Sequence, residues 1–199
     1  MTSRHPSRIP AGADAPILTA RLLLQPVVEA DAEALADVFL DERMYRFTGG
    51  QPGTLDELRA SLAHIQADRA KDRDGTAQRN WVVRRRVDGQ AVGMLQAVLG
   101  DGGRSAEIAW AVAVSWQGQG VASEAAQAVV SWLEARAVDT ITAHINPDHQ
   151  ASIGVAAHAG LQPTEEFREH RGIHEQLWRR QPTAGAFAVR EESGSGGTG

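Results

Sequence analysis

The stretch SWQGQGVASEAAQAVVSWLEARA, Ser115–Ala137, places Gly118 and Gly120 immediately before a long run of helix-forming residues. The segment that precedes it, SAEIAWAVAV (105–114), has the residue pattern of a β-strand. Together the two segments predict a strand, a glycine-rich turn and a helix. Because the first turn of a helix leaves backbone N–H groups unpaired, this turn is either a simple tight connection or a cradle for a phosphate group.

The rest of the chain alternates between strand and helix patterns. Towards the N-terminus the sequence predicts a strand, two helices and an antiparallel hairpin, at residues 21–27, 29–40, 54–70, 80–87 and 91–99. Thr54 and Glu57 have the spacing of a helix capping box, and Asp88-Gly89 is a typical hairpin turn. Towards the C-terminus the sequence predicts a strand, a short helix and a final strand pair, at residues 139–146, 151–160, 161–170 and 173–180.

This order of elements, β-α-α-β-β-β-α-β-α-β-β, predicts an α+β (mixed α/β) fold with a mostly antiparallel central sheet flanked by helices. We expect a single domain over residues 17–181. The segments on either side, an arm at 1–16 and a tail at 182–199, are rich in small residues and are predicted to be flexible.

Composition narrows the classes of function. The formal net charge of −5 gives no support to nucleic-acid binding, and no apolar run approaches the length of a membrane span. The chain has no cysteine, so disulfides and thiolate metal sites are excluded, and no histidine or carboxylate pattern predicts a metal. Without a signal-peptide pattern in residues 1–16, we expect a cytoplasmic protein.

Two well-known phosphate-binding motifs do not fit the glycine-rich turn. A P-loop needs a lysine after its last glycine, and the only lysine in the chain is Lys71. A dinucleotide fingerprint needs three glycines, whereas here Ser123 takes the place of the third. That motif also needs an acidic residue at the end of the next strand, but Asp139 stands at its start.

The turn resembles the Q/R-x-x-G-x-G/A signature of the GNAT acyltransferases, matched by Gln117, Gly120 and Ala122. In that family this loop and the helix that follows bind the pyrophosphate of acetyl-coenzyme A. The resemblance therefore implies an acetyl-coenzyme A site formed by Gln117, Gly118, Gln119, Gly120, Val121 and Ala122.

Three further segments are similar to the GNAT branch that acetylates the N-termini of ribosomal proteins. The segment from Leu18 onward matches its opening pattern L-x-T-x-R-L-x-L-R-P at Thr19, Arg21, Leu22, Leu24 and Pro26. Gln25 departs from the arginine of that pattern. A strand motif retains Glu107, and a later segment keeps Ser152 and Gly160 but has His149 in place of asparagine. The similarity covers residues 18–178 in order.

The resemblance implies roles for residues on the two central elements. Glu107 is the candidate general base, and its alternative is an ordinary polar contact in the strand. Ser152 is the candidate general acid, since the only tyrosine, Tyr45, lies far upstream; its alternative is N-capping of the following helix. We expect the strand amides of Val112 and Val114 to pair with the pantetheine arm, and His149 to lie at the coenzyme A contact.

The implied function is an N-acetyltransferase that moves an acetyl group directly from acetyl-coenzyme A to a primary amine. An α-amine near pKa ~7.8 is roughly one-seventh neutral at pH 7, whereas a lysine amine is neutral in about one molecule in 2,500. A single carboxylate base therefore favours an α-amine of a peptide or amino acid. Two alternatives stay open: a silent acyl-coenzyme A-binding module, and an enzyme for a small-molecule or antibiotic amine. The resemblance also leaves a homodimer open.

Overall fold

The computed structural model describes residues 15–71 and 78–180, so most of the predicted arm (1–16) and all of the predicted tail (182–199) lie outside the described residues. Its helices and strands are, in order, β1 (Ile17–Leu18), β2 (Leu22–Pro26), α1 (Ala36–Phe39), α2 (Leu55–Lys71), β3 (Gln78–Arg85), β4 (Ala91–Gly100), β5 (Ser105–Val112), α3 (Val121–Glu134), β6 (Thr140–Ile145), α4 (Gln150–His158), β7 (Leu161–His170) and β8 (Ile173–Arg180).

The strands form one eight-stranded sheet in the order β1-β2-β3-β4-β5-β6-β8-β7. Every adjacent pair is antiparallel except β5 and β6, which the crossover through α3 makes parallel. The predicted mixed fold and its element order are confirmed. The two-residue strand β1 is an addition that the sequence pattern did not predict.

Strands β5 and β6 separate after a short contact. They pair only from Ser105–Glu107 to Thr140–Thr142. Beyond that point β5 stays paired with β4 as far as Val112, and β6 stays paired with β8 as far as Ile145. The facing edges of the two strands are therefore left without a strand partner, and the sheet opens into a V-shaped cleft.

Apolar residues form a cluster on each face of the sheet. One cluster joins the sheet to α3 and α4 and includes Leu95, Ile108, Val129, Leu133 and Ile141. The other joins it to α1, α2 and the segment before them and includes Val27, Leu35, Val38, Leu62 and Val82. Because successive strand residues point to opposite faces, Val82 belongs to one cluster while its neighbours Trp81 and Val83 belong to the other.

The two predicted features upstream of the hairpin had different outcomes. The capping box at the start of α2 is confirmed, because the Thr54 N–H donates to the Glu57 carboxylate at 2.7 Å and the Glu57 N–H donates to Thr54 Oγ1 at 3.2 Å. The single helix over 29–40 was wrong. That segment forms a 3-10 turn at Glu29–Asp31 and then the one-turn helix α1.

A buried carboxylate anchors the start of this segment to the sheet. The side chain of Asp31 is buried; it accepts a hydrogen bond from the Val28 N–H at 2.9 Å and forms an ion pair with Arg84 on β3. The first contact closes the 3-10 turn Glu29–Asp31, and the second ties that turn to β3.

Candidate active site

The glycine-rich turn between β5 and α3 depends on two left-handed backbone conformations. Gly118 has φ 72° and Gly120 has φ 76°, and Gly120 is the N-cap of α3. L-residues with a side chain adopt such angles at a cost of roughly 1–2 kcal/mol, whereas glycine does so freely. The turn directs the first N–H groups of α3 outward, where a helix N-terminus favours negative charge.

Arg21 anchors this turn to β2. Its Nη1 donates to the Gln119 carbonyl at 3.0 Å, and its Nε pairs with the Glu124 carboxylate at 2.6 Å. The Arg21 N–H and the Thr19 hydroxyl donate to the other oxygen of Glu124, at 2.9 and 2.5 Å. Thr19 and Arg21, which belong to the Thr-x-Arg pattern near the N-terminus, therefore hold the start of α3 in place.

Glu124 lies in the first turn of α3, close to the glycine-rich turn. Burial acts to raise the pKa of Glu124, but the hydrogen bonds from Thr19 and Arg21 outweigh it and hold that pKa below its usual value. The carboxylate is thus kept ionised and is neutralised by the Arg21 guanidinium.

A cavity of about 380 Å³ lies between the glycine-rich turn, β5 and the start of α4. We call it the cofactor cavity. Most of the predicted binding residues line it: Val112, Gln117, Gly118, Gly120, Val121, Ala122, His149 and Ser152. The structure therefore brings the turn together with the end of β5, which directly precedes it, and with the start of α4, which follows it by about 30 residues.

The backbone of Val112 faces this cavity. The N–H of Ala113 donates to the Val92 carbonyl in β4. Because neighbouring strand residues direct their N–H groups to opposite edges, the N–H of Val112 lies on the cleft edge. The Val112 carbonyl on that edge accepts a hydrogen bond from Gln117 Nε2 at 3.0 Å. Gln117 thus ties the turn to the strand.

Two predicted cofactor residues have other positions. Val114 is not a strand residue as expected, because β5 ends at Val112 and Val114 begins a 3-10 turn, Val114–Trp116. The side chain of Gln119 donates to the Ser115 carbonyl at 3.0 Å, so it braces the turn from within. Neither residue lines the cofactor cavity.

A second cavity, of about 470 Å³, lies beyond the open end of the V. We call it the acceptor cavity. Its walls come from β4, β5, β6, the start of α4, the β7–β8 hairpin and residues 38–48, which run from the end of α1 to Thr48. Glu107, the predicted base, lines this cavity and not the cofactor cavity.

Glu107 is held in a charged network at the floor of the acceptor cavity. Its Oε1 accepts a hydrogen bond from Arg168 Nη2 at 3.1 Å and lies 2.9 Å from Nδ1 of His144. Arg168 also donates from Nε to the buried carboxylate of Glu175 at 2.9 Å. Both contacts of Glu107 use the same oxygen, so the network orients the carboxylate in the cavity.

The two cavities meet. The side chains that line both are Met44, Trp110, Ala111, His149 and Ser152. This shared wall is named the junction here. A group bound through the cofactor cavity and a nucleophile bound in the acceptor cavity would come together at the junction.

Ser152 is placed at the junction by α4. It is the third residue of that helix, and the N-cap is His149, so the alternative that Ser152 caps the helix is wrong. Trp110 Nε1 donates to Ser152 Oγ at 3.3 Å. Because the indole donates, the serine keeps its own hydroxyl proton for another acceptor.

His149 lies at the junction as the N-cap of α4. Its ring stacks on Phe47, with centroids 4.4 Å apart and an interplanar angle of 12°. Burial lowers the pKa of His149 below its usual value, because a charged imidazolium is poorly solvated there. The ring makes no side-chain capping contact with α4.

Sequence reasoning missed several residues of the site. Trp110 was not among the predicted site residues, although its position two residues before Val112 places it on the same face of β5. Tyr45 was set aside as too distant, yet it lines the acceptor cavity with its hydroxyl donating to the Phe39 carbonyl at 2.8 Å. Arg168 was not singled out, because nothing in the sequence places it beside Glu107.

Among residues 15–71 and 78–180, no group of three histidine or acidic side chains is arranged to hold a metal ion. In those same ranges, every helix is too short or too polar to cross a bilayer.

Comparisons with known proteins agree with this geometry. The family model described as "Acetyltransferase (GNAT) domain" matches residues 21–162. This range includes the glycine-rich turn, Glu107, His149 and Ser152. No curated protein matches the chain.

Solved structures show the same fold at low sequence identity. An acetyltransferase from Salmonella typhimurium, which modifies the N-terminal serine of ribosomal protein L7/L12, is 18% identical with a TM-score of 0.70, over 85% of this chain and 100% of that one. A GNAT-family acetyltransferase from Bacillus anthracis is 20% identical with a TM-score of 0.67, over 83% and 96%. AAC(6')-Ib, solved with paromomycin and acetyl-coenzyme A, is 17% identical with a TM-score of 0.66, over 86% and 99%.

Proposed function

Because this chain belongs to the GNAT acetyltransferase family, with the acetyl-coenzyme A-dependent transfer that defines it, we propose that its acceptor is the α-amine of a peptide or amino acid. The observation that carries the proposal is the junction, where a cofactor cavity and a separate acceptor cavity share a wall. A module that only bound acyl-coenzyme A would need no second cavity at the acyl end.

The cofactor cavity supplies the features that coenzyme A requires. The N–H groups at the start of α3 would receive the pyrophosphate, and the bare backbone of Gly118 and Gly120 lets it approach. The free edge of β5, including the N–H of Val112, would pair with the amide groups of pantetheine as an additional strand does. This arrangement would bring the thioester to the junction.

The acceptor cavity supports an amine that needs little help to lose its proton. Its carboxylates are Glu107 and Glu175, and both are paired with Arg168, so the cavity has no free acidic cluster to attract a polycation. An α-amine costs up to ~3.5 kcal/mol less to deprotonate at neutral pH than a lysine side chain. The Salmonella relative, which modifies an N-terminal serine, is an example of such an acceptor in this fold.

In this proposal Glu107 and Ser152 carry out different proton transfers. Glu107 accepts a proton from the incoming ammonium group, directly or through water, while Arg168 and His144 hold its carboxylate in position. The neutral amine attacks the thioester carbonyl, the C–N bond forms, and the C–S bond breaks as the intermediate collapses. Ser152 donates its hydroxyl proton to the departing thiolate while the Trp110 indole orients that hydroxyl, and the proton that the attacking nitrogen loses is returned to the serine oxygen.

A peptide that carries both a free α-amine and a lysine tests the acceptor. The purified protein, acetyl-coenzyme A and this peptide are incubated at neutral pH, and fragmentation mass spectrometry locates the acetyl group. We expect it mainly on the α-amine. Acetate mainly on the lysine would refute the proposal, and transfer only to an aminoglycoside or polyamine in a parallel screen would assign a small-molecule acceptor.

Two finer expectations accompany this proposal. We propose that residues 17–181 are the folded unit, which limited proteolysis followed by mass spectrometry would test. We propose a homodimer as the assembly, with sedimentation velocity as the measurement. Coenzyme A binding without thiol release for any amine would instead favour the silent module.

A further inference from the structure

His149 occupies a position that the proposed proton transfers do not yet use. Among the described residues, the side chains shared by both cavities are Met44, Trp110, Ala111, His149 and Ser152, and His149 is the one with an acid–base group among them. It is also the one titratable side chain among those that line the cofactor cavity. The imidazole of His149 is therefore the side chain that could accept a proton from one cavity and release it into the other.

The ring is fixed in place and its nitrogens are not used for capping. Stacking on Phe47 at 4.4 Å sets the plane of the imidazole, and the guanidinium of Arg46 lies 5.1 Å from the Phe47 ring centroid. In a capping box the side chain of the N-cap residue reaches the backbone N–H of the third helical residue, so these two positions are close in space. His149 and Ser152 hold these two positions in α4.

The chemistry of the proposed reaction leaves one proton without a carrier. After the amine attacks, its nitrogen bears a positive charge and must lose a proton before the amide is formed. The leaving sulfur must gain one. Glu107 is separated from the cofactor cavity and serves the incoming ammonium group, so it does not reach the sulfur side.

We propose that His149 accepts the proton from the attacking nitrogen in the tetrahedral intermediate and returns it through Ser152 to the sulfur of coenzyme A. The nitrogen loses its proton to the neutral imidazole, the C–S bond breaks, the serine hydroxyl protonates the thiolate, and the imidazolium reprotonates the serine. The enzyme is regenerated and the products are the amide and free coenzyme A. This proposal rests on the proposed acetyl transfer and adds a catalytic residue to it.

Burial supports this role because it keeps the imidazole in its neutral, proton-accepting form at neutral pH. Other ionisable groups share the acceptor cavity and have to be considered in any pH profile. They are Tyr45, Glu107, His144, Arg168, His170, Arg171 and Glu175. Arg168 pairs with both Glu107 and Glu175, and His144 contacts Glu107, so these four belong to one network.

The test uses His149→Asn and His149→Gly, with His158→Asn as the matched control on the exposed C-terminal end of the same helix. We expect His149→Asn to lower kcat ~10²-fold, a typical loss for an acid–base group, and to remove the acidic limb of the kcat–pH profile. The KM for acetyl-coenzyme A should change less than about threefold. Added imidazole should restore part of the activity of His149→Gly, while His158→Asn should resemble the unmodified protein.

Each other outcome has a definite meaning. If the unmodified protein is active but His149→Asn keeps its kcat and pH profile, the proton-transfer role is overturned while the acetyl transfer stands. A change confined to the KM for acetyl-coenzyme A would make His149 a binding residue only. If no amine is acetylated by the unmodified protein, the proposed function itself fails.

Discussion

Substitution of Gly120 by alanine tests two roles of the glycine-rich turn: its left-handed backbone conformation, which affects stability, and its contact with coenzyme A, which affects binding. Gly120 has φ 76°, and a Cβ there would lie 3.3 Å from Nη2 of Arg21. The left-handed conformation alone should cost about 1–2 kcal/mol. For a chain of this size each kcal/mol lowers Tm by roughly 2–4 °C, so the expected loss is about 2–8 °C.

The same methyl group should weaken coenzyme A binding. It would stand where the pyrophosphate has to approach the first N–H groups of α3, and it would push the Arg21 guanidinium away from the turn. We expect Kd for coenzyme A, measured by titration calorimetry, to rise at least ~10-fold, which corresponds to about 1.4 kcal/mol.

Gly89→Ala is the matched control. Gly89 has φ 73°, nothing lies within 4 Å of its Cβ position, and it sits in the β3–β4 turn away from both cavities. It should lose a similar amount of thermal stability and bind coenzyme A normally. Equal coenzyme A affinities for Gly120→Ala and Gly89→Ala would refute the assignment of the turn as the phosphate site.

Three other substitutions test the residues around the site. Glu107→Gln should lower kcat/KM by ~10²–10⁴ with little change in coenzyme A affinity, and the loss should shrink as pH rises because the amine is then already neutral; a flat twofold loss across pH would assign Glu107 to structure. Arg21→Ala should weaken coenzyme A binding by about 1 kcal/mol, or roughly fivefold, because it leaves the Glu124 carboxylate unpaired beside the phosphates. Adding Glu124→Gln to Arg21→Ala should recover part of that affinity, and no recovery would mean that repulsion is not the cause. The pKa of Glu124 is lowered in the folded protein, so its ionised form stabilises the fold. This stabilisation is present above the usual carboxylate pKa and is lost as pH falls through the pKa of the folded state. The Tm of the unmodified protein should therefore fall more steeply with acid than the Tm of Glu124→Gln.

Local features could be predicted from the sequence because the residues that decide them are close together along the chain. The glycine-rich turn, the Thr54–Glu57 capping box and the β3–β4 hairpin each depend on a few neighbouring residues, and all are present in the structure. The order of strands and helices could be predicted because apolar residues recur every second residue in strands and about every 3.6 residues in helices. The family resemblance placed the cofactor residues on this frame.

The helix predicted over 29–40 shows the limit of local patterns. The segment forms a 3-10 turn and the short helix α1 instead, and its buried Asp31 pairs with Arg84, 53 residues further along the chain. The anchoring of the turn is equally distant, since the contact from Arg21 to Glu124 spans 103 residues. Ionic and hydrogen-bonding partners of this kind are chosen by the packing of the sheet, and composition alone cannot select them.

The sequence by itself determined the glycine-rich turn before α3, the strand before that turn and the order of elements. These features follow from the conformational freedom of glycine, from helix capping and from the spacing of apolar residues. The tertiary structure alone decided the site. The divergence of β5 from β6 opens the cleft, and the pairing of β6 with β8 brings Arg168 to Glu107 across 61 residues. The junction of Trp110, His149 and Ser152 exists because a strand and a helix far apart in the chain meet where those two strands separate.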